Sequence, residues 1–111
     1  MSESTQLGAM EALLGLDRVI HEPVRLAILS VLAGVQEAEF RFMESTLGLS
    51  KGNLSSHATK LEEAGYLEVN KAFRGKVPVT SYRITETGCQ ALDGYWAALR
   101  GPRPDPEGAI T

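Results

Sequence analysis

The sequence predicts a mainly α chain with a small β-hairpin, an α+β fold. Three observations predict it. Apolar residues recur at helical spacing through most of the chain. Between Tyr66 and Ile84 that spacing gives way to alternation on either side of a central glycine. Two short helical stretches abut across three residues, Gly48-Leu49-Ser50. A chain of 111 residues has room for one domain. Hydrophobic residues at 43% and charged residues at 23% supply one real core and exclude a disordered chain.

Residues 1–6 are polar and short, and 1–8 are expected to be flexible. Residues 9–20 carry Met10, Leu13, Leu14, Val19 and Ile20 and read as a short helix followed by a turn. Pro23 suits the first turn of a new helix, where its missing N–H has no partner to lose. That helix covers 23–34 and ends at Gly34. Val24, Ala27, Ile28 and Val31 share one face while Leu26 and Leu29 lie opposite, so it should be packed on two sides. Residues 39–47 place Phe40, Met43 and Leu47 on one face. Gly48 can take the left-handed conformation that ends a helix, and Ser50 can cap the next. Residues 51–64 then set Leu54, Ala58 and Leu61 at i, i+4 and i+7. Two short helices joined by such a turn make a helix-turn-helix.

After Gly65 the period is 2, first from Tyr66 to Lys71 and again from Val79 to Ile84. The link between them, 72–78, puts Gly75 at the tip of a long basic loop. Thr85 caps a last helix, with Glu86 favourable beside its positive end. Cys89, Leu92, Trp96 and Leu99 form the stripe of that helix. Residues 101–111 hold three of the five prolines and should be disordered.

One cysteine excludes an internal disulfide framework, and with two histidines it makes a structural zinc site improbable. No apolar run approaches the ~20 residues needed to span a bilayer. The start, MSESTQLGAM, lacks the charged opening and apolar block of a signal peptide. A reducing, cytoplasmic setting is expected, with no membrane contact. The net charge of −3 is unevenly distributed. Residues 50–83 hold six cations and three anions, a balance of +3, which leaves five cations and eleven anions, −6, for the rest. Cations gathered in one segment can face phosphate even when the whole chain is acidic.

Helix, helix-turn-helix, basic hairpin, helix is the order of a winged helix-turn-helix domain. In the stretches from Leu16 to Leu29, Gly48 to His57 and Lys60 to Leu67, the sequence resembles winged-helix regulators related to the MarR and ArsR families of bacterial and archaeal transcription factors. The resemblance covers about residues 16–100. It implies a winged-helix DNA-binding domain with double-stranded DNA as partner. Residues 9–20 and 86–99, which carry more apolar surface than a minimal winged helix needs, extend that domain to 9–100 as terminal dimerisation helices. The chain is shorter than typical MarR proteins, so their dimerisation arms and effector pockets are not carried over.

With Leu54, Ala58 and Leu61 inward, a step of about 100° per residue turns Gly52, Ser56, Thr59 and Glu63 outward. Asn53, Ser55 and Lys60 flank that face. Asn53 can pair bidentately with adenine, Ser56 can serve several bases, and Lys51 and Lys60 can reach guanine or phosphate. The alternative is an ordinary solvated face. His57, at its border, is a packing residue or a phosphate contact. Arg74 and Lys76, around Gly75, can lie along the DNA backbone or enter a minor groove, or be solvated. Lys71 and Arg83 are phosphate contacts or solubilising edge charges. Phe42 is expected to fill a gap beside the first helix, the alternative being an exposed contact, and Cys89 to be a buried small group rather than a redox switch. Leu13, Leu14, Leu92, Tyr95, Trp96 and Leu99 are the dimerisation candidates.

No catalytic set or cofactor motif is present in the sequence, so an enzyme is not expected. The reading is a homodimeric, cytoplasmic, sequence-specific DNA-binding transcriptional regulator. Helix 51–64 lies in the major groove and wing 72–78 on the flanking backbone or minor groove. Whether a small-molecule effector exists stays open. The rival is a winged-helix protein-interaction adaptor without specific DNA binding.

Overall fold

A computed structural model describes residues 15–100. The expected flexible ends, the start of the 9–20 helix, and Leu13 and Leu14 with it, lie outside the described residues. Residues 18–20 form a turn. It is held by Asp17, whose carboxylate accepts the backbone N–H of Val19 at 2.8 Å and of Ile20 at 3.3 Å. Helix α1, Pro23–Ala33, starts on the extended residue Glu22, whose carboxylate accepts the Arg25 N–H at 2.8 Å. Ile28, Leu29 and Leu32 are buried and Val24, Leu26 and Val31 partly so, as its two-sided apolar pattern requires.

The helix expected over 39–47 begins one residue later. Ala38–Glu39 forms a short strand, β1, and α2 runs over Phe40–Leu47. Two residues are too few to show a period, and this strand exists only through its partner. Gly48 has φ 64°, and the Leu49 N–H reaches back to the Glu44 carbonyl at 3.2 Å, closing α2. Ser50 then caps α3, Lys51–Glu63, accepting the Asn53 N–H at 3.2 Å. Leu54, Ala58 and Leu61 are buried, as their spacing predicts.

Strands β2, Leu67–Arg74, and β3, Val77–Ile84, form a hairpin, and β1 pairs with β3 to give the antiparallel order β1-β3-β2. The loop expected over 72–78 is shorter: pairing runs through Phe73↔Pro78 and Arg74↔Val77, leaving only Gly75-Lys76 as the turn. Gly75 has φ 67° and Lys76 has no positive φ, the pattern of a two-residue type II′ turn with glycine first.

Helix α4, Glu86–Arg100, starts where the Thr85 hydroxyl accepts the Gly88 N–H at 2.9 Å. Its buried face keeps only Leu92 of the expected stripe. Gly88, Leu92 and Tyr95 are buried, whereas Cys89 is exposed, Trp96 is 37% exposed and Leu99 49% exposed. The helix is rotated toward Gly88, because only glycine fits there: a Cβ would stand 2.2 Å from the Tyr66 carbonyl oxygen. Phe42 fills no gap. It is 49% exposed. Among the described residues no helix is long and apolar enough to cross a membrane.

Candidate nucleic-acid interface

The core face of α3 leaves Lys51, Gly52, Asn53, Ser55, Ser56, Thr59 and Lys60 exposed along its other sides. Capping by Ser50 uses the backbone N–H of Asn53, so the side-chain amide stays on the open face. Thr59 is less available, since its hydroxyl donates to the Ser55 carbonyl at 2.9 Å within the helix.

His57 turns the other way. Its Nδ1 lies 3.4 Å from Glu22 Oε2 and 3.3 Å from Arg25 Nη1. Arg25 Nε in turn donates to the Val19 carbonyl at 2.5 Å. The half-buried His57 thus ties α3 to the start of α1, which favours packing over phosphate contact. Burial pushes the Glu22 carboxyl up, but the N–H groups of Arg25 and Val24 and the charges of His57 and Arg25 outweigh it and hold it below its ordinary range.

The six cations of 50–83 divide into two sets. Arg74 Nη2 lies 2.5 Å from Glu39 Oε2, and Arg83 Nη2 lies 2.6 Å from Glu68 Oε2. The Arg74 hydrogen bond is the largest influence on the Glu39 carboxyl and holds it below the usual carboxylate range. Among the described residues Lys51, Lys60, Lys71 and Lys76 have no ion pair. Arg74 and Arg83 thus meet an anion within the chain, and these four lysines do not.

Pairing also sorts the hairpin by face. Val69↔Tyr82, Lys71↔Thr80 and Phe73↔Pro78 share the face turned toward α3. A groove of about 370 Å³ separates the two, lined by Ser55, Thr59 and Glu62 on one wall and Val69, Lys71 and Thr80 on the other. Arg74 lies on the opposite face. A second hollow, of about 250 Å³, brings Arg41, Lys51 and Arg74 to one mouth beside Glu39 and Glu44. Arg41 was not legible as a site residue, because its only signal is a charge beside the apolar face of α2.

An exposed polar helix start, a cationic hairpin beside it and a two-helix turn holding both in place form one composite surface. A family model described as a winged helix DNA-binding domain matches residues 24–101. The chain belongs to this winged helix family. An uncharacterized protein of Methanocaldococcus jannaschii is 37% identical over 79 residues, covering 70% of this chain and 85% of that protein. Among solved structures, a transcriptional regulator homologue from Pyrococcus horikoshii is similar with a TM-score of 0.75 and 29% identity, covering 81% of this chain and 91% of that one. PadR of Bacillus subtilis, solved with operator DNA, shares the winged helix fold with a TM-score of 0.61 and 22% identity, over 78% of this chain and 51% of PadR. The winged helix resemblance read from the sequence thus holds at the level of the fold and of transcriptional-regulator relatives.

Proposed function

We propose that this winged helix is a sequence-specific DNA-binding transcriptional regulator. The observation that carries the reading is the open face of α3: Asn53, Ser55 and Ser56 are exposed near its N-terminus, with Lys51 and Lys60 unpaired among the described residues. Uncharged hydrogen-bonding side chains near a helix start are what base edges in a major groove require. Lys71 and Lys76 on the wing, with Arg74 behind them, supply phosphate neutralisation on the flanking backbone or minor groove. The family membership and the DNA-bound PadR relative support the same reading.

The protein works as a homodimer in this reading. One helix-turn-helix buries little area, and two-fold pairing onto half-sites roughly 34 Å apart is the usual remedy. Trp96 and Leu99 are the exposed apolar residues of α4 that such pairing would cover. Leu92 and Tyr95 are buried in the chain's own core and contribute by holding α4 in place. The site of action is the cytoplasm.

The test is selection of duplexes from a random pool, followed by affinity for selected and random DNA across a salt series. The reading expects an enriched motif and a steep fall in affinity with salt. A pool without enrichment and no retention on duplex DNA at low salt would replace the regulator with the adaptor.

A further inference from the structure

The wing carries apolar surface that the core does not use. Phe73 is 74% exposed on the face turned toward α3, and Val77 60% exposed on the opposite face. Phe73 stands opposite Pro78, one pair before the last pair of the hairpin, and the turn Gly75-Lys76 follows. Exposure grows along the face of Phe73 toward the turn. Tyr82 is buried, Val69 and Thr80 are half-buried, and Lys71 and Phe73 are exposed. The face therefore begins packed against α3 and runs out beyond it.

Charge surrounds this apolar end. Lys71 lies two residues back on the same face, and Arg74 and Lys76 adjoin the tip. An apolar centre with a cationic rim matches a surface that is anionic at its edges and apolar within. The minor groove is such a surface, with phosphates along its rims and deoxyribose on its walls. Its width of about 6 Å admits an aromatic edge or one long side chain but not a two-stranded ribbon. Apolar side chains of wedge type are known minor-groove elements in unrelated proteins.

We propose that Phe73, paired across the hairpin with Pro78, is an apolar contact for the deoxyribose wall of the minor groove beside the α3 site. Lys71 and Lys76 hold the phosphates on either side. This rests on the DNA-binding reading above. It chooses the minor groove over the backbone for the wing, and it assigns the contact to a residue without charge.

The experiment compares wild type, Phe73→Ala and Lys76→Ala on a duplex selected by the wild type, with affinity followed across salt. Phe73→Ala is expected to bind about tenfold more weakly at every salt concentration with the same salt slope, because no counterion is involved. Lys76→Ala is expected to lower the slope by about one. Hydroxyl-radical cleavage of the flanking sugars should be protected in the wild-type complex and return to the free-DNA level with Phe73→Ala. Melting of the two variants should match wild type, since both positions are exposed. Unchanged affinity or unchanged sugar protection in Phe73→Ala, with wild type still bound, overturns the wedge alone. A change in oligomeric mass on Phe73→Ala without DNA overturns it in favour of a protein contact. Failure of the wild type to bind any duplex overturns the DNA reading, and the wedge with it.

Discussion

Replacing Gly88 by alanine tests how α4 is seated. The new Cβ would lie 2.2 Å from the Tyr66 carbonyl oxygen, 3.0 Å from its carbon and 2.9 Å from Ile84 Cγ1. Two of these atoms are backbone, and the same oxygen accepts the Thr85 N–H at 3.0 Å. Reaching ordinary contact near 3.5 Å means moving α4 off the sheet by more than an ångström. Such overpacking costs about 1–3 kcal/mol, and the strained Thr85 hydrogen bond adds about 1 kcal/mol. Helix propensity returns about 1 kcal/mol for Gly→Ala. The net is about 2 kcal/mol of destabilisation, a fall in Tm of roughly 8–16 °C. Gly94, on the same helix, has nothing within 4 Å of its ideal Cβ among the described residues. Gly94→Ala should therefore gain up to about 1 kcal/mol. Urea and thermal unfolding followed by far-ultraviolet circular dichroism compare the two. If Gly88→Ala is as stable as Gly94→Ala, the close seating of α4 on Tyr66 is wrong.

Two further outcomes follow from polar contacts. The Tyr66 hydroxyl donates to the Asp17 carboxylate, and that bond, with burial and the Asp17 charge, pushes the Tyr66 pKa up to about 12. The unfolded tyrosine ionises first, so stability present below pH 10 is lost as pH rises from 10 toward 12. Tyr66→Phe should cost about 1–2 kcal/mol at neutral pH and show a shallower alkaline fall, read by urea unfolding across pH; an equally steep fall would refute the contact. Glu39→Ala removes an anion from the hollow and releases Arg74. Duplex affinity should rise at low salt and the salt slope grow by about one, and an unchanged slope in the titration would place Arg74 away from phosphate.

Features made by local chemistry were legible in the sequence. Ser50 and Thr85 cap helices because each sets a hydroxyl just before the first helical residue, and Gly48 ends α2 because it tolerates a positive φ. The open face of α3 followed from the spacing of Leu54, Ala58 and Leu61. Features made by distant partners were not. Strand β1 depends on Ser81 and Tyr82, more than forty residues away. Pro78 read as loop, yet it lies in β3 beyond the reach of β1, where that strand is an edge and a missing N–H is tolerated. In α4 the apolar stripe misled, because the position that decides the rotation, Gly88, has no side chain to count. The pairing of Arg74 with Glu39 and of His57 with Glu22 each spans 35 residues, and no local pattern announces either.

The central claim is that α3 reads base edges. The direct measurement is the affinity of Asn53→Ala, relative to wild type, for a selected duplex and for a random one at the same salt. Base reading by α3 predicts a loss of about 1–3 kcal/mol on the selected duplex and little change on the random one. An equal loss on both, or none on either, would contradict it.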